Sequence, residues 1–363
     1  MLNTGTIVRI GKGSVALLHG SGSVASLGQI CPSAGSPSQF WSPAGSIGGQ
    51  IRSSEASQSH LCPNSFRTLT QYRSFTSSIT SSSHSNPLGL PNFKPANTNL
   101  GVKRSLSRVK HILLVSSCKG GVGKSTVSTN LAIALRNLGL SVGLLDADIF
   151  GPSIPKLMNL HGEPRISQQG KLIPLQNYGV QTMSMGYLIP NEDSPIVWRG
   201  LMLQKALQQL LFDVEWNDLD VLVIDLPPGT GDVQITIGQM LKVSGAIIVS
   251  TSQDLALIDV KKGISMFEKV KIPIYGLVEN MSVFVCPNCH HEEHLFGKDG
   301  VLKEAERLGI DYLGSIPLNR EICSKSDEGF PIALSGKDGL GRYYYEIAEG
   351  VTRHLRGEGE REK

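Results

Sequence analysis

A glycine-rich loop between an apolar run and a helical pattern constrains the fold of this chain most. The apolar run at residues 112–115 suits a strand that is buried on both faces. Residues 116–126 follow as Ser-Ser-Cys-Lys-Gly-Gly-Val-Gly-Lys-Ser-Thr, and apolar residues then recur at helical spacing up to Leu138. A strand, a glycine-rich loop and a helix in this order are the context of a phosphate-binding loop. Further strands and helices alternate with short links, which predicts an α/β fold with one doubly wound, mostly parallel sheet.

Each residue type in the loop suits the binding of a nucleotide. The glycines let the backbone curl so that its N–H groups point at phosphate oxygens, and the following helix N-terminus adds partial positive charge. We expect Lys124 to reach the β and γ phosphates and the Ser125 hydroxyl to ligate Mg²⁺. ATP and Mg²⁺ are therefore the predicted cofactors. The predicted nucleotide contacts in the loop are Lys119, Gly120, Gly121, Val122, Gly123, Lys124, Ser125 and Thr126.

The loop departs from the usual G-x-x-x-x-G-K-[ST] form at one position, where Cys118 stands in place of glycine. With Lys119 it fits the deviant form K-G-G-x-G-K-[ST], whose first lysine resembles the signature residue that reaches the nucleotide of a partner subunit. Such a lysine stabilises charge on the transferring phosphoryl group, as an arginine finger does. We therefore expect Lys119 and Lys124 to be catalytic in a homodimer with slow ATP hydrolysis, and Cys118 to be a small packed residue.

Aspartates stand at the ends of two further apolar runs. Asp146 and Asp148 follow the run at residues 142–145, and Asp225 ends the run at residues 221–224. The carboxyl ends of parallel strands face the ligand crevice of an open sheet. We expect Asp148 to orient the attacking water and Asp225 to hold the Mg²⁺ hydration shell. Asp146 would assist Mg²⁺ or hold the loop, and both Asp146 and Asp148 have strand-end capping as an alternative.

Two segments after these strands complete the predicted nucleotide site. Residues 227–231, Pro-Pro-Gly-Thr-Gly, must leave the sheet and form a predicted switch that moves with the γ-phosphate. Asn280 follows the apolar run at residues 274–278. Its amide offers both a donor and an acceptor, so we predict that it reads the edge of adenine, with turn capping as its alternative.

A C-x-x-C pair, Cys286 and Cys289, follows Asn280 and is a candidate metal or redox site. Two thiolates supply half of the four ligands that Zn²⁺ or a [4Fe–4S] cluster needs. His290, His291 or His294 would complete a zinc site, the pair would form a redox disulfide, or a second subunit would donate its own pair. The homodimer expected from the loop favours a [4Fe–4S] cluster shared across the two-fold axis.

Residues 1–100 differ from the rest in composition. They contain one acidic residue, six basic residues and 21 serines, and they lack a lasting apolar period, so we expect a disordered transit peptide and linker. An arginine before an aromatic residue places the predicted cleavage near Phe75. Mitochondrial import is predicted, with a plastid or a cytosolic tail as alternatives. The remaining residues carry a net charge of −2, which argues against binding to nucleic acid. The sequence lacks an apolar run long enough to span a membrane, so we expect no stable membrane insertion.

Five motifs together resemble the Mrp/ApbC (NUBPL-type) family of deviant-Walker (SIMIBI) iron–sulfur P-loop ATPases in its mitochondrial form. They lie at residues 118–126, 146–155, 197–200, 224–232 and 280–289. The resemblance covers about residues 105–350, the expected single ATPase domain, and leaves 351–363 as a charged tail. It implies an ATP-dependent scaffold or carrier in the mitochondrial matrix. Such a protein holds a labile [4Fe–4S] cluster between subunits and delivers it to apo-proteins, in this subfamily those of respiratory complex I.

The alternative function is a MinD/ParA-like positioning ATPase switch with a C-x-x-C zinc site, because the loops of such a switch would look similar. A membrane-bound switch would need a basic amphipathic C-terminus, whereas residues 353–363 are mixed in sign and nearly lack apolar residues. A switch that rides on DNA would need a basic face. A nitrogenase-reductase-like electron donor also pairs cysteines across a dimer, but it contributes widely separated ones.

Overall fold

The computed structural model describes residues 7–9, 15–17, 103–188 and 200–357. Contacts divide the chain into two units, Met1–Thr80 and Ser81–Lys363. In the first unit, β1 (Ile7–Arg9) pairs antiparallel with β2 (Val15–Leu17). Apart from β1 and β2, the predicted transit peptide and linker at residues 1–100, with the predicted cleavage near Phe75, lie outside the described residues.

The described part of the second unit is built on a nine-stranded, mostly parallel sheet. Its strands are β3 (Val109–Ser116), β4 (Val142–Asp146), β5 (Leu175–Asn177), β6 (Val180–Ser184), β7 (Leu219–Asp225), β8 (Gly245–Ser250), β9 (Ile274–Val285), β10 (Glu292–Glu293) and β11 (Tyr312–Leu318). They lie in the order β10-β9-β8-β3-β7-β4-β6-β5, and β11 also pairs with β9. Only β5 with β6 and β10 with β9 pair antiparallel within this described sheet. The predicted α/β class with a mostly parallel sheet is confirmed.

Helices cover both faces of the sheet. They are α1 (Lys124–Asn137), α2 (Ile154–Leu157), α3 (Gly200–Phe212), α4 (Asp232–Met240), α5 (Asp254–Lys269), α6 (Gly300–Leu308), α7 (Arg320–Asp327) and α8 (Arg342–Leu355), with short 3₁₀ turns at Met185–Tyr187, Ile332–Ser335 and Gly339–Gly341. Ile112 and Leu114 of β3 join the core that contains α3 to α6, whereas Leu113 and Val115 join the core that contains α1, α2, α7 and α8. Burial on both faces explains the unbroken apolar run of β3.

The last helix crosses the predicted boundary of the charged tail. We expected the tail to begin at residue 351, but α8 continues to Leu355. Val351 is fully buried in the core beside α1, so residues 351–355 belong to the folded unit. Residues 358–363 lie outside the described part of the chain.

Candidate functional site

The glycine-rich loop joins the end of β3 to the start of α1 at Lys124. Gly121 and Gly123 have φ angles of 83° and 81°, in the left-handed region that side chains disfavour. A Cβ at Gly123 would also overlap the amide of Asn280. The loop therefore needs glycine for its backbone path, and it ends at a helix N-terminus, as a phosphate cradle requires.

Lys124 and Asp225 form a buried ion pair at the centre of the site. The Lys124 Nζ lies 2.6 Å from the Asp225 Oδ2, and both side chains are buried. The Ser125 hydroxyl donates to the same oxygen at 2.6 Å, and the Ser128 hydroxyl donates to Oδ1 at 2.9 Å. The predicted phosphate lysine, the magnesium serine and the magnesium carboxylate thus lie in direct contact. Oxygen donors of this kind suit Mg²⁺.

Asp146 holds the loop that follows β4. Its Oδ2 accepts hydrogen bonds from the backbone N–H groups of Ser153 and Ile154 and from the Ser184 hydroxyl, and its Oδ1 accepts from the N–H of Asp148. Burial raises the pKa of Asp146 to about 7, and the negative charge of Asp225 adds to this shift. Of the two roles expected for Asp146, the structure shows the loop-holding one.

Asp148 is half-buried at the start of this loop. Burial raises its pKa, while the positive charge of Lys124 acts in the opposite direction. Its Oδ1 accepts a long hydrogen bond of 3.4 Å from the N–H of Gly151. Asp148 therefore lies within electrostatic reach of the phosphate lysine, and its role in orienting water stays a prediction.

Cys118 and Lys119, at the start of the loop, lie near α5. Cys118 is buried, burial raises its pKa to about 12, and a Cβ at Gly263 of α5 would overlap its sulfur. Cys118 is thus a packed residue, as predicted. The charge of Lys119 contributes to lowering the pKa of Asp259 on α5, although the hydrogen bond from Lys262 is the larger cause. Lys119 is half-buried beside this helix.

The predicted switch segment is held by a residue that sequence reasoning missed. The Gln234 Nε2 lies 2.8–3.2 Å from the carbonyl oxygens of Pro227, Pro228 and Gly229 and donates to them. The N–H of Gly229 donates to the carbonyl oxygen of Ser117 at 2.8 Å. The segment is therefore tied to the glycine-rich loop. Ser128 and Gln234 share one sequence signal, a polar side chain in the first turns of a helix that leaves the site.

Asn280 contacts the glycine-rich loop directly. Its Nδ2 donates to the carbonyl oxygen of Val122 at 2.8 Å, and the side chain is buried. This bond is the kind of contact that the turn-capping alternative describes. Adenine recognition by Asn280 stays a prediction.

The cysteine pair lies in a turn after β9. The N–H of Cys286 donates to the carbonyl oxygen of His291, and the N–H of His290 donates to the carbonyl oxygen of Cys286. Backbone N–H groups of Cys289 and Asn288 lower the pKa of the Cys286 thiol, which favours the thiolate that binds metals. Cys286 is half-buried and Cys289 is exposed, so the pair lies at the surface of the described unit.

Two of the three neighbouring histidines contact other groups. The Nδ1 of His294 lies 2.9 Å from the carbonyl oxygen of Ser282, and the Nε2 of His291 lies 3.6 Å from Glu293. Within residues 103–188 and 200–357, no group of three or more His, Cys, Asp or Glu side chains could hold a metal ion. In the described chain, the two cysteines form a pair without a third protein ligand beside them.

The phosphate loop and its buried Lys124–Asp225 pair lie at the carboxyl edge of a parallel sheet. These features define the chain as a P-loop NTPase, and Lys119 gives its loop the deviant form. Residues 108–352 match the family described as NUBPL iron-transfer P-loop NTPase, of ParA type. The chain belongs to this family.

Two curated relatives align with about 70% of the chain. The first, from Arabidopsis thaliana, is named "Iron-sulfur protein required for NADH dehydrogenase, mitochondrial"; it is 51% identical over 253 residues, which are 69% of this chain and 80% of the relative. The second, from Mus musculus, is named "Iron-sulfur cluster transfer protein NUBPL"; it is 49% identical over 272 residues, which are 74% of this chain and 82% of the relative.

Solved structures show the same fold. A nucleotide-binding protein from Archaeoglobus fulgidus, in complex with ADP, is 37% identical and matches with a TM-score of 0.57 over 66% of this chain and 93% of its own. The cell division ATPase MinD from Pyrococcus furiosus is 19% identical and matches with a TM-score of 0.50 over 67% of this chain and 99% of its own. The fold is thus of the deviant-Walker type, and the MinD likeness concerns the fold alone.

Two further observations complete the comparison with the sequence motifs. None of the helices in the described residues is long and apolar enough to cross a membrane. The motif at residues 197–200 lies outside the described residues except for the backbone of Gly200, where α3 begins.

Proposed function

We propose that this protein is an ATP-dependent iron–sulfur cluster carrier that holds a labile [4Fe–4S] cluster between two copies of the chain. The observation that carries the proposal is the Cys286–Cys289 pair, in which the pKa of the Cys286 thiol is lowered, in the turn directly after the strand whose Asn280 contacts the phosphate loop. Membership of an iron-transfer family and the names of both relatives support it.

The cluster is the cargo of this protein, and a [4Fe–4S] cluster is usually bound by four protein ligands, one to each iron. One chain offers two thiolates at this turn, and two of the three nearby histidines, His291 and His294, contact other groups. A two-fold axis beside the turn would bring a second Cys286 and Cys289 to the same cluster. The pair therefore fits a shared site better than a zinc site within one chain.

An exposed apolar face beside the phosphate loop supports the homodimer. We define it by Leu255 and Ile258, three residues apart on α5, whose exposed fractions are 57% and 50%; Phe150, in the loop after β4, is 65% exposed. Leu255 and Ile258 lie in the first turns of α5, next to Asp259, whose pKa the charge of Lys119 helps to lower. A second copy that covers this face would bring its own Lys119 toward the first nucleotide, as the deviant loop form requires.

The nucleotide site would use the residues predicted from the sequence. Lys124 would leave Asp225 to bind the β and γ phosphates, and Ser125 with Asp225 would hold Mg²⁺, whose charge favours phosphoryl transfer. The half-buried Asp148 would orient the attacking water, and the partner's Lys119 would stabilise the developing charge. Loop N–H groups from residues 119–126 would surround the phosphates, and Asn280 would face the adenine.

Clients and location follow from the relatives. The Arabidopsis relative is named for NADH dehydrogenase and for mitochondria, so we assign subunits of respiratory complex I as clients and the mitochondrial matrix as the location. The basic, serine-rich leader supports import with cleavage near Phe75. N-terminal sequencing of the mature protein from purified mitochondria should begin between residues 70 and 100, and recovery from plastids would redirect the assignment.

Anaerobic reconstitution with iron and sulfide tests the carrier function. The wild-type chain should gain absorbance at roughly 400 nm and acid-labile sulfide, and Cys286→Ala or Cys289→Ala should abolish both. Cys323→Ala is the matched control, since Cys323 is exposed and free but lies on α7. Zinc without sulfide in the wild type would instead support the MinD/ParA-like switch with a zinc site.

A further inference from the structure

We propose that Glu279 and Asn280, adjacent on β9, are positioning residues that couple the nucleotide state of the phosphate loop to the cysteine loop. The cysteine loop is defined as residues 286–299, between β9 and α6. The inference rests on the proposed carrier function and adds the route by which ATP acts on the cargo site.

Asn280 contacts the phosphate loop. Its Nδ2 donates to the carbonyl oxygen of Val122, and its amide fills the space that a Cβ at Gly123 would need. The methyl end of Met281 lies against the same position. A shift of Val122 or Gly123 on nucleotide binding must therefore displace β9 or break this bond, because the contact is buried and close-packed.

Glu279 is linked through Ser252 to α6, where the cysteine loop ends. Glu279 is buried, and its two carboxylate oxygens accept from the Ser252 hydroxyl and, at 2.8 Å, from the Tyr312 hydroxyl. The Ser252 oxygen in turn accepts from the N–H groups of Gly300 and Val301 at 2.7 and 3.2 Å. Ser252 lies two residues after the end of β8, Tyr312 begins β11, and Gly300 and Val301 begin α6.

The side chains of Glu279 and Asn280 reach opposite faces of the sheet, because neighbouring side chains on a strand point in opposite directions. Val122 belongs to the core with α1, and Val301 belongs to the core with α6. Glu279 precedes Cys286 by seven residues, and Gly300 begins the helix after the loop. The C-terminal end of the cysteine loop is thus bonded through Ser252 to the buried Glu279 carboxylate, and its N-terminal end continues the strand that carries Glu279 and Asn280.

Glu279→Gln is the test variant, because an amide retains the volume but cannot accept through both of its terminal atoms. Tyr312→Phe is the second variant, which removes one donor and retains the ring. Ser282→Ala is the matched control: it lies on the same strand, and its hydroxyl donates to the carbonyl oxygen of Ile316, outside this set of bonds.

The readout is the rate at which a ferrous-iron chelator removes iron from the reconstituted full-length protein, with and without MgATP. In the wild type and Ser282→Ala, MgATP should change this rate at least about fivefold, the lower range of typical allosteric coupling. In Glu279→Gln and Tyr312→Phe the ratio should fall toward one, while the Kd for ATP and the iron content stay at wild-type values. A merely structural role would lower iron content and leave the ratio unchanged.

The outcomes separate this inference from the proposed function. A wild-type protein that loads the cluster but shows no effect of MgATP would overturn the coupling and leave the carrier function standing. So would a wild-type ratio in a folded Glu279→Gln and a folded Tyr312→Phe. A wild-type protein that loads no cluster would overturn both.

Discussion

The Lys124 ammonium lies 2.6 Å from the Asp225 carboxylate, and both groups are buried. The predicted phosphate lysine therefore neutralises the carboxylate that we expect to hold Mg²⁺. This pairing makes Lys124 a residue of the folded core as well as of the nucleotide site, because an unpaired buried carboxylate is costly.

Lys124→Ala should lower the free energy of unfolding by about 3 kcal/mol, since it leaves Asp225 with only its serine donors. The double variant Lys124→Ala/Asp225→Asn should recover most of this loss, because it removes the uncompensated charge. Neither variant should bind ATP with wild-type affinity. Thermal unfolding and nucleotide titration check the two claims, and recovery of ATP binding in the double variant would contradict the role of Lys124.

Gly263→Ala should destabilise the protein by about 1–3 kcal/mol, because the added methyl group overlaps the Cys118 sulfur. Alanine normally stabilises a helix interior relative to glycine, so the sign of this effect is diagnostic. Cys118→Ala should restore most of the stability in the double variant. A double-mutant cycle by chemical denaturation measures the coupling, and simple additivity of the two changes would contradict the contact.

Ile258→Asp should abolish the ATP-dependent homodimer, because it places a charge within the exposed apolar face beside the phosphate loop. Ile166→Asp is the matched control, since both isoleucines are 50% exposed and Ile166 lies outside α5. Light scattering after size-exclusion chromatography with MgATP gives the mass of each variant. Equal dimer content in both variants would place the interface elsewhere.

In the reduced, metal-free protein, iodoacetamide should modify Cys286 well before Cys118. Backbone N–H groups lower the pKa of Cys286, so its thiolate forms at lower pH, whereas burial raises the pKa of Cys118 to about 12. Peptide mass spectrometry across a pH series measures both rates. Denaturant should remove the difference, and equal rates in the folded protein would contradict the environments found for the two thiols.

Local pattern predicted the parts of the site that lie in single segments. The apolar runs that end at Ser116, Asp146 and Asp225 predicted buried parallel strands, because such strands need apolar residues on both faces. The spacing of the glycines and lysines predicted the loop between β3 and α1. Both depend on residues that are close in sequence, which is where pattern is informative.

Tertiary contacts explain what the sequence did not predict. Gln234 bonds to the switch segment, and Glu279 bonds to Ser252 and Tyr312. Neither Gln234 nor Glu279 belongs to a motif that the sequence analysis used. The start of the charged tail was placed too early, at residue 351, because polar residues in the last turns of α8 mask the buried Val351. Amphipathic helix ends of this kind become clear only once the packing partner is known.

Native mass spectrometry of the anaerobically reconstituted wild-type protein tests the central claim most directly, namely that two chains share one cluster through Cys286 and Cys289. We predict a species of two chains that carries about four iron and four sulfide ions in total, and loss of this species in either cysteine variant. A single chain that carries a complete cluster, or a zinc ion without sulfide, would contradict the claim.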